Sequence, residues 1–301
     1  MRHLTSLRYI EAVAKSGSIR RAAESLAINS TALNRRILAV EADLGVPIFE
    51  RLPRGVRLSA AGEILLQHIR DQLGDMDRVK GLIADLSGER RGHVSIACSQ
   101  ALLPYFLPEQ ISLYRRAHPG VTFGVHVRDR DEAEQSLISR EADIALVFEP
   151  VRMSDLELLL AVRQRIEAVL HPDHPLAAKK TLRLRECLSF PIALPTAPYG
   201  VRHLLENATR RSSLKLTPVV ESDSFEFLYR HALEEKIVTL QIPLGLPPGD
   251  TPALVRRSID TRDVPDGMVY VGQLKGRILP VAASRFCAQI MSAFAERYEC
   301  I

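Results

Sequence analysis

Within the first 45 residues, apolar side chains recur at three- and four-residue intervals in three separate runs, and so many short helices in so little chain leave few folds open. Leu7, Ile10, Val13 and Ala14 form one helical face between Leu4 and Ala14, and Gly17 ends it. Ser18 suits the N-cap of a short helix, Ile19 to Ala27, whose inward face is Ile19, Ala22, Ala23 and Leu26. After a turn at Ile28 and Asn29, either Asn29 or Ser30 caps a third helix that buries Leu33, Ile37, Val40 and Leu44 and stops at Gly45-Val46-Pro47. Residues 49–58 then read as two short strands around the basic turn Pro53-Arg54-Gly55. Three helices followed by a hairpin predict a winged helix-turn-helix.

Charge is distributed in step with this pattern. Residues 1–59 carry ten Lys/Arg against five acids, whereas the remaining residues are nearly neutral, so the whole chain is only +4. A basic head on a neutral body is what a chain needs when only its head meets a polyanion. Ser59 caps a long helix from Ala60 to Leu86 without proline, in which Leu66, Ile69, Leu73, Met76 and Ile83 follow a two-helix seam that Lys80 interrupts. That spacing predicts a dimerising helix; the alternative is a helix lying on its own domain. Residues 87–92, Ser-Gly-Glu-Arg-Arg-Gly, read as a linker.

Beyond the linker, short apolar strands alternate with helical stretches. Strands are expected at 93–97, 121–127, 144–148, 166–170, 190–194, 216–221, 238–242 and 268–274, and helices at 102–117, 131–139, 201–210, 224–233 and 282–297. The expected organisation is a winged helix-turn-helix over 1–59, a linker helix over 60–88 and a two-lobed α/β domain over 89–301. In that domain, lobe I takes about 93–161 and 268–301 and lobe II about 162–267, with a ligand cleft between the lobes. At 301 residues, 46% hydrophobic and 25% charged, the chain has the balance of a globular protein of about two domains. No apolar run approaches the roughly 18 residues of a membrane helix, and Arg2 and Arg8 stand where a secretory signal needs an apolar stretch, so a cytoplasmic, membrane-free protein is expected. The four cysteines form no C-x-x-C pair and read as free thiols.

Specific motifs narrow the reading. Gly17-Ser18-Ile19-Arg20-Arg21-Ala22-Ala23-Glu24-Ser25-Leu26 resembles the G-S-[FIL]-x-x-A-A-x-x-L of LysR-type transcriptional regulators. Ala32-Leu33-Asn34-Arg35-Arg36-Ile37, Leu44-Gly45-Val46-Pro47-Ile48-Phe49-Glu50-Arg51 and Leu58-Ser59-Ala60-Ala61-Gly62 continue the resemblance in order. Phe106-Leu107-Pro108, His118-Pro119, Ala142-Asp143-Ile144-Ala145-Leu146-Val147, Asp173-His174-Pro175-Leu176 and Gly276-Arg277-Ile278-Leu279-Pro280 extend it more loosely over the rest of the chain. The resemblance implies a periplasmic-binding-protein-like effector domain and a bacterial regulator, homodimeric or homotetrameric, that binds interrupted dyads at promoters, answers a small-molecule effector and contacts RNA polymerase. Asn34 stands where the family usually has Ser, Arg36 where Gln is common, and Ser30 where Gln or Pro often sits, so an unusual DNA sequence is expected.

Reading bases requires the first turns of a helix in the major groove, which Ser30, Thr31, Asn34 and Arg35 occupy. Ser30 and Thr31 suit phosphate, Asn34 an adenine edge, and Arg35 a guanine edge or a phosphate. Arg54 at the wing tip looks like the family's minor-groove or backbone contact. Arg51 could equally pair with an acid. In the effector domain, Ser99 and Gln100, Thr196 and Gly200, and Ser222 sit where strands end and helices begin, edges that line the family's effector cleft. Arg130, near a point where the family often has Ser or Thr, could clamp a carboxylate at two points, which predicts an acidic effector. Against this, Arg128 and Arg130 could form surface pairs with Asp129, Asp131 and Glu132.

No G-x-S-x-G, G-x-x-x-x-G-K or G-x-G-x-x-G occurs, so no catalytic residue and no cofactor is expected. His171 and His174 lie in a proline-containing loop and are not expected to bind metal. Cys98 beside Ser99 is read as a buried thiol before an oxidant sensor. The competing function is a two-lobed solute-binding or enzymatic protein whose basic head docks a protein partner.

Overall fold

The computed structural model describes residues 2–86, 92–128, 130–210, 212, 214–247 and 251–300. Residues 87–91 of the expected linker, and Asp129, lie outside that set. The chain divides into two compact units, Met1–Ser87 and Gly88–Ile301.

The first unit contains α1 (Arg2–Ser16), α2 (Ile19–Ser25), α3 (Ser30–Leu44), the hairpin β1 (Phe49–Leu52) and β2 (Gly55–Leu58), and α4 (Ala60–Leu86). Gly17 and Gly45 close α1 and α3 at φ +62° and +71°, a left-handed conformation that costs glycine little. Ile10, Val13, Ala22, Ala23, Leu33, Ile37, Ile48, Phe49, Ile69 and Leu73 make one core. Two residues of the expected seam, Ile69 and Leu73, are therefore spent on the unit's own core, and Leu66 is buried as well. The far half of α4 leaves Val79 and Ile83 exposed.

The second unit holds two sheets. The first has the order β4-β3-β5-β13-β6, built from β3 (Gly92–Cys98), β4 (Val121–Val127), β5 (Ile144–Phe148), β6 (Leu156–Gln164) and β13 (Gly267–Leu274). The second has the order β10-β9-β11-β7-β12-β8. It comprises β7 (Glu167–Leu170), β8 (Thr181–Leu182), β9 (Ile192–Pro195), β10 (Val220–Ser222), β11 (Val238–Gln241) and β12 (Val255–Ile259). Strands β3, β4 and β5 run parallel, and β13 returns antiparallel between β5 and β6, so the chain leaves the first sheet, builds the second and comes back. Helices α5 (Phe106–Ala117), α6 (Glu132–Ile138), α7 (Leu184–Cys187), α8 (Gly200–Arg210), α9 (Phe225–Glu235) and α10 (Val281–Arg297) complete the unit. This is the mixed α/β architecture expected.

Three expectations are corrected. The helix read over 102–117 begins only at Phe106, after a 3-10 turn at Gln100–Leu102, because Pro104 cannot donate a helical hydrogen bond and keeps Leu103 from continuing the helix. The strand read over 216–221 shrinks to Val220–Ser222, with Pro218 unable to join a ladder. Strands β6, β8 and β12 were not expected at all. One continuous core includes Ile96, Leu102, Ile144, Leu146, Leu194, Leu205, Phe286 and Phe294, and Phe106 stacks on Phe294 at 4.1 Å between centroids. Under it, Arg277 donates to Asp143 at 2.7 Å and to the Ala142 carbonyl at 3.0 Å, while the Ser95 amide donates to the other Asp143 oxygen.

Candidate nucleic-acid interface and ligand cleft

The head presents α3 through local chemistry. Ser18 caps α2 by accepting from the Arg21 amide, and Ala27 adopts φ +52° in the turn that follows α2. Asn29, not Ser30, caps α3, its Oδ1 accepting from the Thr31 amide at 2.8 Å. Ser30 and Thr31 are thus left exposed on the first turn, beside helix-end N–H groups suited to phosphate. Leu33 and Ile37 face the core, and Arg35 is exposed.

The wing is fastened to the body of the head by backbone. The Val56 amide donates to the Gly17 carbonyl at 3.0 Å, and Gly55 stands at φ +135°, where a Cβ would come within 2.4 Å of that same oxygen. Ser59 donates to the Pro47 carbonyl at 2.6 Å and accepts from the Gly62 amide at 3.0 Å; at Gly62 a Cβ would meet the Ile48 carbonyl at 2.1 Å. From α3, Glu41 Oε1 accepts from the Ile48 and Phe49 amides at 2.7 and 3.1 Å, tying the reading helix to the first wing strand.

The arginines of the head differ in what is left for a partner. Arg57 is paired with Glu50 at 2.6 Å, Arg20 lies 3.7 Å from Glu24, and Arg36 sits over the Tyr9 ring at 5.4 Å. Arg51 forms no ion pair among the described residues; it donates to Asn34 Oδ1 at 2.9 Å. Arg35 and Arg54 form no ion pair or hydrogen bond among the described residues, and both are exposed.

In the second unit, a small cleft is lined by Ser99, Gln100, Arg130 and Gly200 together with the rings of Phe148, Tyr199 and Phe225. Ser99 Oγ accepts from the Phe148 amide at 2.9 Å, which leaves its proton for an acceptor in the cleft. Arg130 is half-buried; its Nε donates to the Glu149 carbonyl, and its Nη groups have no hydrogen bond among the described residues. Burial pushes the Arg130 guanidinium down from its ordinary value. Burial first, and the Arg130 charge second, hold the nearby His203 imidazole low. Of the surface pairs expected as the alternative, Arg130 forms none with Asp131 or Glu132, and Asp129 lies outside the described residues.

Gln100 is committed to the walls: Nε2 donates to the Asp223 carbonyl at 2.6 Å, and Oε1 accepts from the Phe225 amide. Gly200 opens α8 against Phe148, where a Cβ would lie 2.9 Å from the Phe148 carbonyl. Thr196 and Ser222 are not among the lining residues. They tie the sheet edge behind it, the Thr196 amide donating to the Ser222 carbonyl at 3.2 Å and Ser222 Oγ accepting from the Ser224 amide at 3.0 Å. Sequence reasoning had not assigned Phe148, Tyr199 and Phe225 to the cleft, although the last two stand inside the stretches it singled out.

Burial pushes the Cys98 and Cys187 thiols up to about 12 and that of Cys287 to about 11, so none is a thiolate near neutrality. His174 is buried, accepts from the Leu176 amide and packs on Phe190. Among the described residues no group of three or more His, Cys, Asp or Glu could hold a metal, and no helix is long and apolar enough to cross a membrane.

Comparison with known proteins covers both units. Residues 4–63 match the family described as bacterial regulatory helix-turn-helix protein, lysR family, and residues 87–295 match the LysR substrate binding domain. The uncharacterized HTH-type transcriptional regulator YbhD of Escherichia coli (strain K12) is 30% identical over 217 residues, 72% of this chain and 68% of that protein. The RuBisCO operon transcriptional regulator of Allochromatium vinosum is 27% identical over 303 residues, 98% of this chain and 97% of its own. In fold, the chain is similar to a variant of full-length OxyR from Pseudomonas aeruginosa, with a TM-score of 0.76 at 20% identity over 98% of this chain and 97% of that one. It is also similar to full-length CbnR complexed with its target DNA, with a TM-score of 0.56 at 19% identity over 97% and 99%.

Proposed function

The chain belongs to the LysR family of transcriptional regulators, and from that premise we propose how its own residues divide the work. It is a DNA-binding regulator with an effector-binding domain, not an enzyme, and the alternative of a head that docks protein gives way to the match over residues 4–63. In our reading, residues 1–59 read DNA, 60–88 carry the linker helix and 89–301 bind the effector in a cleft between lobes at 93–161 with 268–301 and at 162–267.

The observation that carries the DNA assignment is the pair of uncommitted guanidinium groups, Arg35 on α3 and Arg54 on the wing tip. Ser30 and Thr31 take phosphate at the start of α3, while Arg35 reaches a guanine edge or a phosphate and Arg54 the neighbouring groove or backbone. Neutralising phosphates releases counterions, so affinity falls steeply with salt. A salt titration of binding to the DNA upstream of the protein's own gene tests this; a flat response overturns it. Two heads in a homodimer, or four in a tetramer, then call for an operator with an interrupted dyad, and an activating role requires contact with RNA polymerase. Action on promoter DNA places the protein in the cytoplasm.

For the effector we propose a small carboxylate with an apolar body. Ser99 offers a proton, Arg130 two free Nη groups, and α8 its N-terminal amides at Gly200, while three aromatic rings supply the apolar wall. Gln100, Thr196 and Ser222 hold those groups in place. Such a ligand regulates only if it prefers one arrangement of the protein. Thermal-shift measurements of wild type and Arg130→Ala against a panel of small carboxylates decide the matter: equal responses end the proposal.

A further inference from the structure

We infer that Arg51 sets the base preference of Asn34, making this head select a keto base, guanine or thymine, where a free asparagine would select adenine. The inference rests on the DNA-reading assignment of α3. Asn34 lies in the second turn of that helix, and Arg51 Nη2 approaches its carboxamide at 2.9 Å. A guanidinium only donates, so the amide atom facing it has to be the oxygen. Chemistry, and not the similar outlines of the two ends of an amide, thus fixes the orientation.

An asparagine with both ends free matches adenine in the major groove, accepting from N6 while donating to N7. Here Oδ1 is already engaged by Arg51. Arg51 takes one of the two lone pairs of Oδ1 and sets its positive charge beside the other, which weakens Oδ1 as an acceptor and leaves the two N–H donors of Nδ2 as the stronger group. Guanine answers with O6 and N7, and thymine with O4. Adenine still accepts at N7, but its N6 donor meets only the weakened Oδ1, and cytosine presents only the N4 donor, so both offer the Nδ2 donors less than guanine does.

Neighbouring contacts hold Arg51 in position. Glu41 pins the start of β1 to α3 through the Ile48 and Phe49 amides, and Arg51 itself sits opposite Val56 in the hairpin ladder. The adjacent charge, Glu50, is taken by Arg57 at 2.6 Å and does not compete. Five donors on the guanidinium allow Arg51 to keep Asn34 and still meet a phosphate. Charge-assisted bonds of this kind are stronger than those between neutral groups.

The test is selection of binding sites from a pool of randomised duplexes with the full-length chain as wild type, Asn34→Ala and Arg51→Ala. Arg51 is exposed, so its truncation leaves the core intact. The position whose preference Asn34→Ala abolishes is the one Asn34 reads. There, wild type is expected to prefer guanine or thymine by about five- to tenfold, and Arg51→Ala to shift the preference to adenine by a similar factor. Adenine or cytosine preferred by wild type, no position altered by Asn34→Ala, or an Arg51→Ala protein that binds more weakly with unchanged preference and a shallower salt slope each overturns the inference while leaving the head a DNA reader. A pool from which wild type enriches nothing removes the DNA-reading assignment and this inference together.

Discussion

The two units use arginine in opposite ways. In the second, the less exposed guanidinium groups are consumed internally: Arg277 by Asp143, Arg256 by Glu167 at 2.7 Å, Arg202 by Glu206 and Glu221, Arg183 by Asp263. In the head, residues 1–59, ten basic residues face five acids, so a surplus is unavoidable, and Arg35 and Arg54 are part of it. The contrast shows that a nearly neutral whole can hide a division of labour: balanced charge builds structure and unbalanced charge is held ready for an outside partner. Arg130 differs from these, since it is half-buried yet leans on a backbone carbonyl, with no hydrogen bond from its two Nη groups among the described residues.

Stability measurements should break the comparison if it is wrong. Arg277→Ala strands Asp143, whose side chain is only 11% exposed, and is expected to cost about 3 kcal/mol in urea unfolding. Arg54→Ala, by contrast, should change stability by less than about 0.5 kcal/mol. Equal effects would show that the two populations of arginine do not differ. For DNA the ranking reverses: Arg35→Ala and Arg54→Ala are each expected to weaken operator binding about tenfold and to lower the salt slope by about one, whereas Arg277→Lys leaves the slope unchanged. Smaller again is the effect of Arg130→Ala on the folded chain, where the expected loss is the carboxylate-induced rise in Tm and not the Tm of the free protein.

The smallest effect is on acid response. The Arg183 guanidinium hydrogen-bonded to Asp263 holds that carboxyl below its usual range, and Arg297 does the same for Glu109. A depressed carboxyl contributes stability above its unfolded pKa and loses it as pH falls through the folded value. Asp263→Asn should therefore flatten the decline in unfolding midpoint below roughly pH 4 by less than about 1 kcal/mol. An unaltered acid limb would remove this pair from the account.

How much of this was legible in the sequence follows from how local each signal is. The head was readable because its helices, caps and turns depend on neighbours a few residues away: Ser18, Gly17, Gly45 and Pro53-Arg54-Gly55 act where they stand. Strands β6 and β12 were missed for opposite reasons. Leu156–Gln164 shows little alternation because leucines occupy both faces of this edge strand, Leu158 staying exposed, and Val255–Ile259 looks polar because Arg256 and Arg257 are satisfied by Glu167 and the Ala177 carbonyl. The cleft was half visible. Strand ends marked Ser99, Gln100 and Gly200, but only the fold reveals that Phe148 crosses to Gly200 or that Gln100 is spent on Asp223 and Phe225. The pairing of Asn34 with Arg51 spans 17 residues and two kinds of secondary structure, beyond any periodic pattern.

The bond from Val56 to the Gly17 carbonyl fastens the wing to the turn after α1, and Glu41 fastens it to α3, so in the proposed DNA reading the wing tip and α3 form a fixed-jaw caliper. A caliper that cannot open measures groove width. Operators that already have the required width are gripped at no elastic cost, and all others must be bent to fit, so sequence at base pairs the protein never touches is weighed through the stiffness of the duplex.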